Sequence, residues 1–189
     1  MQCIKDTIKN INIVIGCSIG CSYCYARMNN NRFHTIDDFN KPVFFENKLK
    51  MLDNKRHTAY LLTGQSDLSG WNEEWKDKVF SKMKENENTQ YIFLTKRPEN
   101  IKLKETPDNG WFGVTVTSSK EKTRIDYLRN NIKAKHYHIT FEPMFDDVGK
   151  LDLSNISWIV IGTETGNRKG KISSKREWVF NIYNQAKEK

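Results

Sequence analysis

Six short apolar runs, each closing on a polar or glycine residue, limit the possible folds of this chain more than any other feature. They are INIVIG (Ile11–Gly16), TAYLLTG (Thr58–Gly64), QYIFLTKR (Gln90–Arg97), WFGVTVTSS (Trp111–Ser119), HYHITFEP (His136–Pro143) and SWIVIGTETG (Ser157–Gly166). Their Val, Ile, Leu and Phe content is continuous rather than alternating, which suits strands covered on both faces, as in a parallel sheet. Helical spacing fills several gaps. Trp71, Trp75, Val79, Phe80 and Met83 form one apolar stripe, and Ile125, Leu128 and Ile132 form another, opened by a capping box at Ser118–Glu121. A second box, Ser174–Glu177, opens a helix carrying Trp178, Val179, Ile182, Tyr183 and Ala186, and weaker helical signals follow Pro98 and Pro143. This alternation implies right-handed βα units and an α/β fold, either a doubly wound sheet or an incomplete barrel. Both gather function at the C-terminal ends of their strands. Here those ends carry Cys17 onward, then Gly64-Gln65-Ser66-Asp67, Lys96-Arg97, Thr117-Ser118, Glu142 and Thr163-Glu164. Six polar ends in a row imply a shared mouth.

At 189 residues the chain is sized for one domain, residues 1–189, with no low-complexity stretch or linker to divide it. No run of about twenty apolar residues marks a membrane span. The opening MQCIKDTIKN lacks the apolar segment of a secretory signal, so a cytoplasmic location is expected. Thiols there stay reduced, and four cysteines, three of them clustered, suit metal binding better than disulfides.

The cluster is Cys17, Cys21 and Cys24, spaced C-x3-C-x2-C, with Tyr23 before the last thiol. A structural zinc site wants four ligands in a closed tetrahedron, usually as two close pairs. No second pair follows, although Cys3 or His34 could supply a fourth ligand. A three-thiolate cage suits a [4Fe–4S] cluster whose fourth iron stays open to another ligand. Both metals remain possible on spacing alone.

The motif, placed directly after the first strand, resembles the signature of radical S-adenosylmethionine (SAM) enzymes, and that resemblance implies a full or six-unit partial TIM-like (βα) barrel. GCSIGCSYCYARM, YIFLTKRPENI, WFGVTVTS, ITFEPM and WIVIGTETG, in this order, further resemble a phage and mobile-element family of radical SAM proteins with an unassigned substrate. The similarity runs from about Ile11 to Gly166. It implies a [4Fe–4S] cluster on the three cysteines, with SAM chelated by the open iron and cleaved to methionine and a 5′-deoxyadenosyl radical. It also implies an electron donor such as flavodoxin or ferredoxin, and a second radical SAM-like protein from a neighbouring gene.

Under the same resemblance Tyr23 lies near the adenine. The usual GGE-like segment is replaced by Thr63-Gly64-Gln65-Ser66-Asp67, where Gly64 permits close backbone approach and Gln65 or Asp67 could accept from the SAM ammonium group. Thr115 and Thr117 could meet the ribose or the methionine carboxylate. Glu142 and Glu164 each follow a buried strand, where a carboxylate is costly unless paired or functional. Gly162 and Gly166 allow a tight loop beside Glu164. Lys96 and Arg97 could hold a phosphate or the SAM carboxylate. His34, His57, His136 and His138 show no metal or base spacing. The net charge of +8 favours polyanionic partners, so nucleic acid or a nucleotide is the expected substrate class. The reading from a different class is a zinc-stabilised, non-enzymatic nucleic-acid-binding module.

Overall fold

The computed structural model describes residues 7–54, 56, 58–166 and 168–189. In chain order the elements are β1 (Ile8–Asn10), β2 (Val14–Ile15), α1 (Tyr25–Phe33), β3 (Val43–Phe44), β4 (Ala59–Leu61), α2 (Glu73–Lys84), β5 (Gln90–Thr95), β6 (Gly110–Thr115), α3 (Thr123–Asn131), β7 (His136–Phe141), β8 (Ile156–Ile161) and α4 (Arg176–Lys187). Six strands form one parallel sheet in the order β1-β4-β5-β6-β7-β8, curled into a half-barrel of the partial TIM-like kind. The remaining two pair antiparallel as a small β2–β3 ribbon between β1 and β4.

The convex face is the core. Phe93 of β5 and Phe112 of β6 stack 4.9 Å apart, and Phe80 of α2 meets both rings edge-on. Val79 and Met83 of α2, Ile125 and Leu128 of α3 and Ile182 of α4 complete the same layer. Each fully buried side chain of this kind contributes about 1.5–3 kcal/mol. Asn72 caps α2 by accepting from the Trp75 amide, with Glu73 and Glu74 in the first turn and Lys82 and Lys84 in the last, matching the helix dipole.

The concave face carries a different set. Trp111 stacks on His136 at 4.5 Å and meets Trp158 edge-on, and His138 lies against Trp158. The His138 ring crosses Gly113, where any Cβ would fall 2.4 Å from it, to place Nε2 3.1 Å from the Phe93 carbonyl. One imidazole thus ties β7 to β5 across β6. Its burial pushes the pKa down to about 4.

Several local expectations need correction. The first sheet strand is Ile8–Asn10, ahead of the apolar run Ile11–Gly16. That run is buried, but only Val14–Ile15 forms a strand, and its partner is β3. Neither capping box forms. Glu121 accepts instead from the amide and hydroxyl of Thr117, and Ser174 donates its hydroxyl to the Met144 carbonyl. The segment after Pro98 is a single 3-10 turn, Pro98–Asn100, and the residues after Pro143 are irregular. Among the described residues no helix is long and apolar enough to cross a membrane. Cys3 and His57 lie outside the described residues.

Candidate functional site

The cysteine loop begins at Gly16, whose φ of +114° is one that L side chains rarely adopt and whose Cβ would sit 2.9 Å from the Pro42 backbone. Its amide donates to the Gln65 carbonyl at 2.9 Å, and the next amide, of Cys17, donates to the Phe39 carbonyl at 2.6 Å. The loop closes at Cys24, whose amide donates to the Cys21 carbonyl and whose Sγ caps α1 by accepting from the Arg27 amide at 3.4 Å. Arg27 then reaches back along the loop. Its Nη2 donates to the Cys17 carbonyl (2.8 Å) and to Asn40 (3.0 Å), while its guanidinium lies 5.0 Å from the Phe39 ring centre. Three cysteines therefore share one loop stapled at both ends.

All three thiols are free and half-buried. Burial pushes the Cys17 thiol up, against the lowering effect of the Ile19 amide, and Asp67, Cys21 and Cys24 add to the rise. Among the described residues, no group of three or more His, Cys, Asp or Glu side chains is arranged to hold a metal ion. His34, raised above as a zinc ligand, is the C-cap of α1, while Cys24 is its N-cap. At about 1.5 Å per residue, the helix axis alone separates them by roughly 15 Å.

Tyr23 hangs from the loop into the mouth. Its ring meets Phe145 edge-on at 5.3 Å, and Lys96 Nζ lies 5.9 Å from the ring centre. Burial, then the neighbouring Cys21, hold its hydroxyl far above the ordinary phenol range. Tyr25, absent from the candidate residues above, donates to the Gly64 carbonyl at 2.6 Å and so bridges the loop to the end of β4. Burial, then Cys24 and Glu142, push this hydroxyl up as well. Its signal in the sequence was adjacency: it follows Cys24 directly.

The other candidates divide into committed and presented groups. Asp67 is a structural hub: one oxygen accepts from the Ser69 amide, the Ser69 hydroxyl and the Thr95 hydroxyl, and the other from the Lys96 amide. Thr117 is held by Glu121, and Thr115 gives its carbonyl to Arg124. Glu164, only 6% exposed, receives a two-pronged contact from Arg168 and the Ile172 amide. The Arg168 guanidinium, foremost, holds its carboxyl below the usual range. Glu142 is exposed, so the cost argued for a buried carboxylate does not apply to it; it lies over Gly162, where a Cβ would fall 2.8 Å away. Gly64 lies beneath Asn10 and Asn12, and Gln65 fixes the cysteine loop through its backbone. The Arg97 amide donates to Thr95, leaving its half-exposed side chain at the rim beside Lys96.

A family model described as "Protein of unknown function (DUF5131)" matches residues 2–189. The chain belongs to the DUF5131 family. No curated protein and no solved structure matches it. In this DUF5131 protein one short loop brings three thiols to the mouth of a half-barrel.

Proposed function

We propose that this chain is a radical SAM-type enzyme. In this reading Cys17, Cys21 and Cys24 hold a [4Fe–4S] cluster, and SAM binds beside it at the mouth. The observation that carries the reading is the stapled three-thiol loop above a rim of polar strand ends. Three soft thiolates suit iron–sulfur ligation, whereas the zinc reading loses His34 as a fourth ligand because α1 stands between it and Cys24. When bound, such a cluster supplies the electron for reductive cleavage of SAM to methionine and a 5′-deoxyadenosyl radical.

This chain's own residues hold, orient and shield. Arg27 and Gly16 fix the loop, and Tyr23 shields one side of it under Phe145 and Lys96. Asp67, Thr117 and Glu164 set the rim rather than touch the ligand, since their side chains already have partners. Exposed Glu142 and the Gln65 side chain face fewer internal demands and are assigned to the SAM ammonium group. Thr115, Gly162, Lys96 and Arg97 line the remainder of the rim. A cytoplasmic setting, an electron donor such as flavodoxin or ferredoxin, and a second chain closing the open half-barrel complete the proposal, with nucleic acid or a nucleotide as substrate class.

Anaerobic reconstitution with iron and sulfide tests the reading. The expected product is a brown protein with about four irons per chain, releasing 5′-deoxyadenosine when SAM and a strong reductant are added. Cys21→Ala should lose both the colour and the product. A colourless preparation holding one zinc, or release of 5′-deoxyadenosine undiminished by Cys21→Ala, would sink it.

A further inference from the structure

Residues 168–176 hold five cations, Arg168, Lys169, Lys171, Lys175 and Arg176, with no acidic residue between them. Arg168 pairs with Glu164, and Lys175 pairs with Glu177 at 3.7 Å. Among the described residues, Lys169, Lys171 and Arg176 form no ion pair, although all three are exposed. The contrast with α2 is sharp. There Lys76, Lys78 and Lys82 all sit within 3.0 Å of carboxylates. Lys169, Lys171 and Arg176 lack that compensation, which suits them to an external anion.

The segment is on the rim of the mouth. The Ser174 amide donates to the Thr163 hydroxyl and its own hydroxyl to the Met144 carbonyl, folding the segment back over the ends of β8 and β7. It leads directly into α4. There Arg176, Phe180, Tyr183 and Lys187, at i, i+4, i+7 and i+11, share one face. The opposite side of the helix is the core side, with Ile182 fully buried and Trp178 and Val179 packed beside it. On the outer face Phe180 is 43% and Tyr183 54% exposed, their ring centres 6.3 Å apart, and Arg176 lies 5.1 Å from the Phe180 ring centre. Lone exposed apolar residues are ordinary. Two neighbouring aromatics set among unpaired cations are a different pattern: it is the combination of stacking platforms and backbone-neutralising charge that single strands require.

We infer that residues 168–176 and the outer face of α4 bind single-stranded nucleic acid, the cations taking phosphates and Phe180 and Tyr183 taking bases. An unpaired strand is favoured over a duplex because bases reach aromatic rings only when splayed out. This binding stands apart from the cluster, and its test is arranged so that the two readings fail separately.

The measurement is fluorescence anisotropy of a labelled single-stranded oligonucleotide of about 12 residues, with both the wild-type chain and Cys21→Ala. Both proteins should bind alike. Phe180→Ala and Tyr183→Ala should each weaken binding about tenfold, and Tyr183→Phe should keep wild-type affinity. With Lys169, Lys171, Lys175 and Arg176 engaged, a fourfold rise in salt should lower affinity about fifty-fold. The triple variant Lys169→Ala/Lys175→Ala/Arg176→Ala should nearly flatten that dependence. Equal affinity for a duplex or for heparin, affinity unchanged by Phe180→Ala, or a protein partner that covers Phe180 and excludes the oligonucleotide would overturn the proposal.

Discussion

Arg27 does most to shape the cysteine loop, because one side chain grips a carbonyl, an amide oxygen and a ring that belong to different parts of the fold. Arg27→Ala should lower stability by about 2 kcal/mol, the scale of lost charged hydrogen bonds, and, under the proposed function, reduce iron retained after reconstitution. Arg27→Lys should restore little of either, since a point charge cannot reproduce the planar fork; full rescue by lysine would show that charge alone suffices. At this scale the gathering of the three cysteines on one loop was legible because their spacing is short. The partners of Asp67 and Glu164 were not. A carboxylate after a strand looks like a ligand until its partners are seen, and Thr95 lies 28 positions from Asp67. The Arg168 partner of Glu164 is close in sequence, but nothing in the spacing distinguishes it from the other cations of its loop.

Elements followed the apolar pattern where burial and sheet pairing coincide. β4, β5 and β7 fall within the expected runs, and β6 and β8 each begin one residue before theirs. The first run failed because burial is also produced by a covering loop and ribbon: Ile13 and Val14 are fully buried, yet the sheet strand precedes them. Both capping boxes failed because other groups took their members: Thr117, four residues back, takes Glu121, and the distant Met144 carbonyl takes Ser174. The turn at Gly16 is the element on which the loop depends. Gly16→Ala forces a strained backbone against Pro42 and should cost about 2 kcal/mol or more, seen as a lower urea midpoint. Gly20→Ala, with positive φ but nothing within 4 Å, should cost less. Equal losses at the two glycines would mean that crowding at Pro42 is unimportant.

For the whole molecule, α/β alternation made the parallel sheet legible and the family resemblance implied the partial barrel, while the aromatic and imidazole lining of its concave face was not legible, since strand periodicity does not say which face is which. His138 also gives the fold a pH signature. Its folded pKa of about 4 lies below the ordinary 6.5, so stability is full above pH 6.5 and is lost as pH falls toward 4, by about 3 kcal/mol in all. Glu164, whose carboxyl is lowered, keeps its contribution above the ordinary 4.5 and begins to lose it only below that. Urea midpoints from pH 7 to pH 4 should therefore fall, and His138→Gln should flatten the fall; an unchanged slope in that variant would remove His138 as the cause. The strand order has a further consequence. Because every sheet strand lies beside its predecessor in the chain, apart from the inserted ribbon, the molecule can be laid down vectorially during synthesis. Once β5 has left the ribosome, Thr95 and Lys96 can close on Asp67. The floor of the cysteine loop is then in place while the last three strands are still being translated.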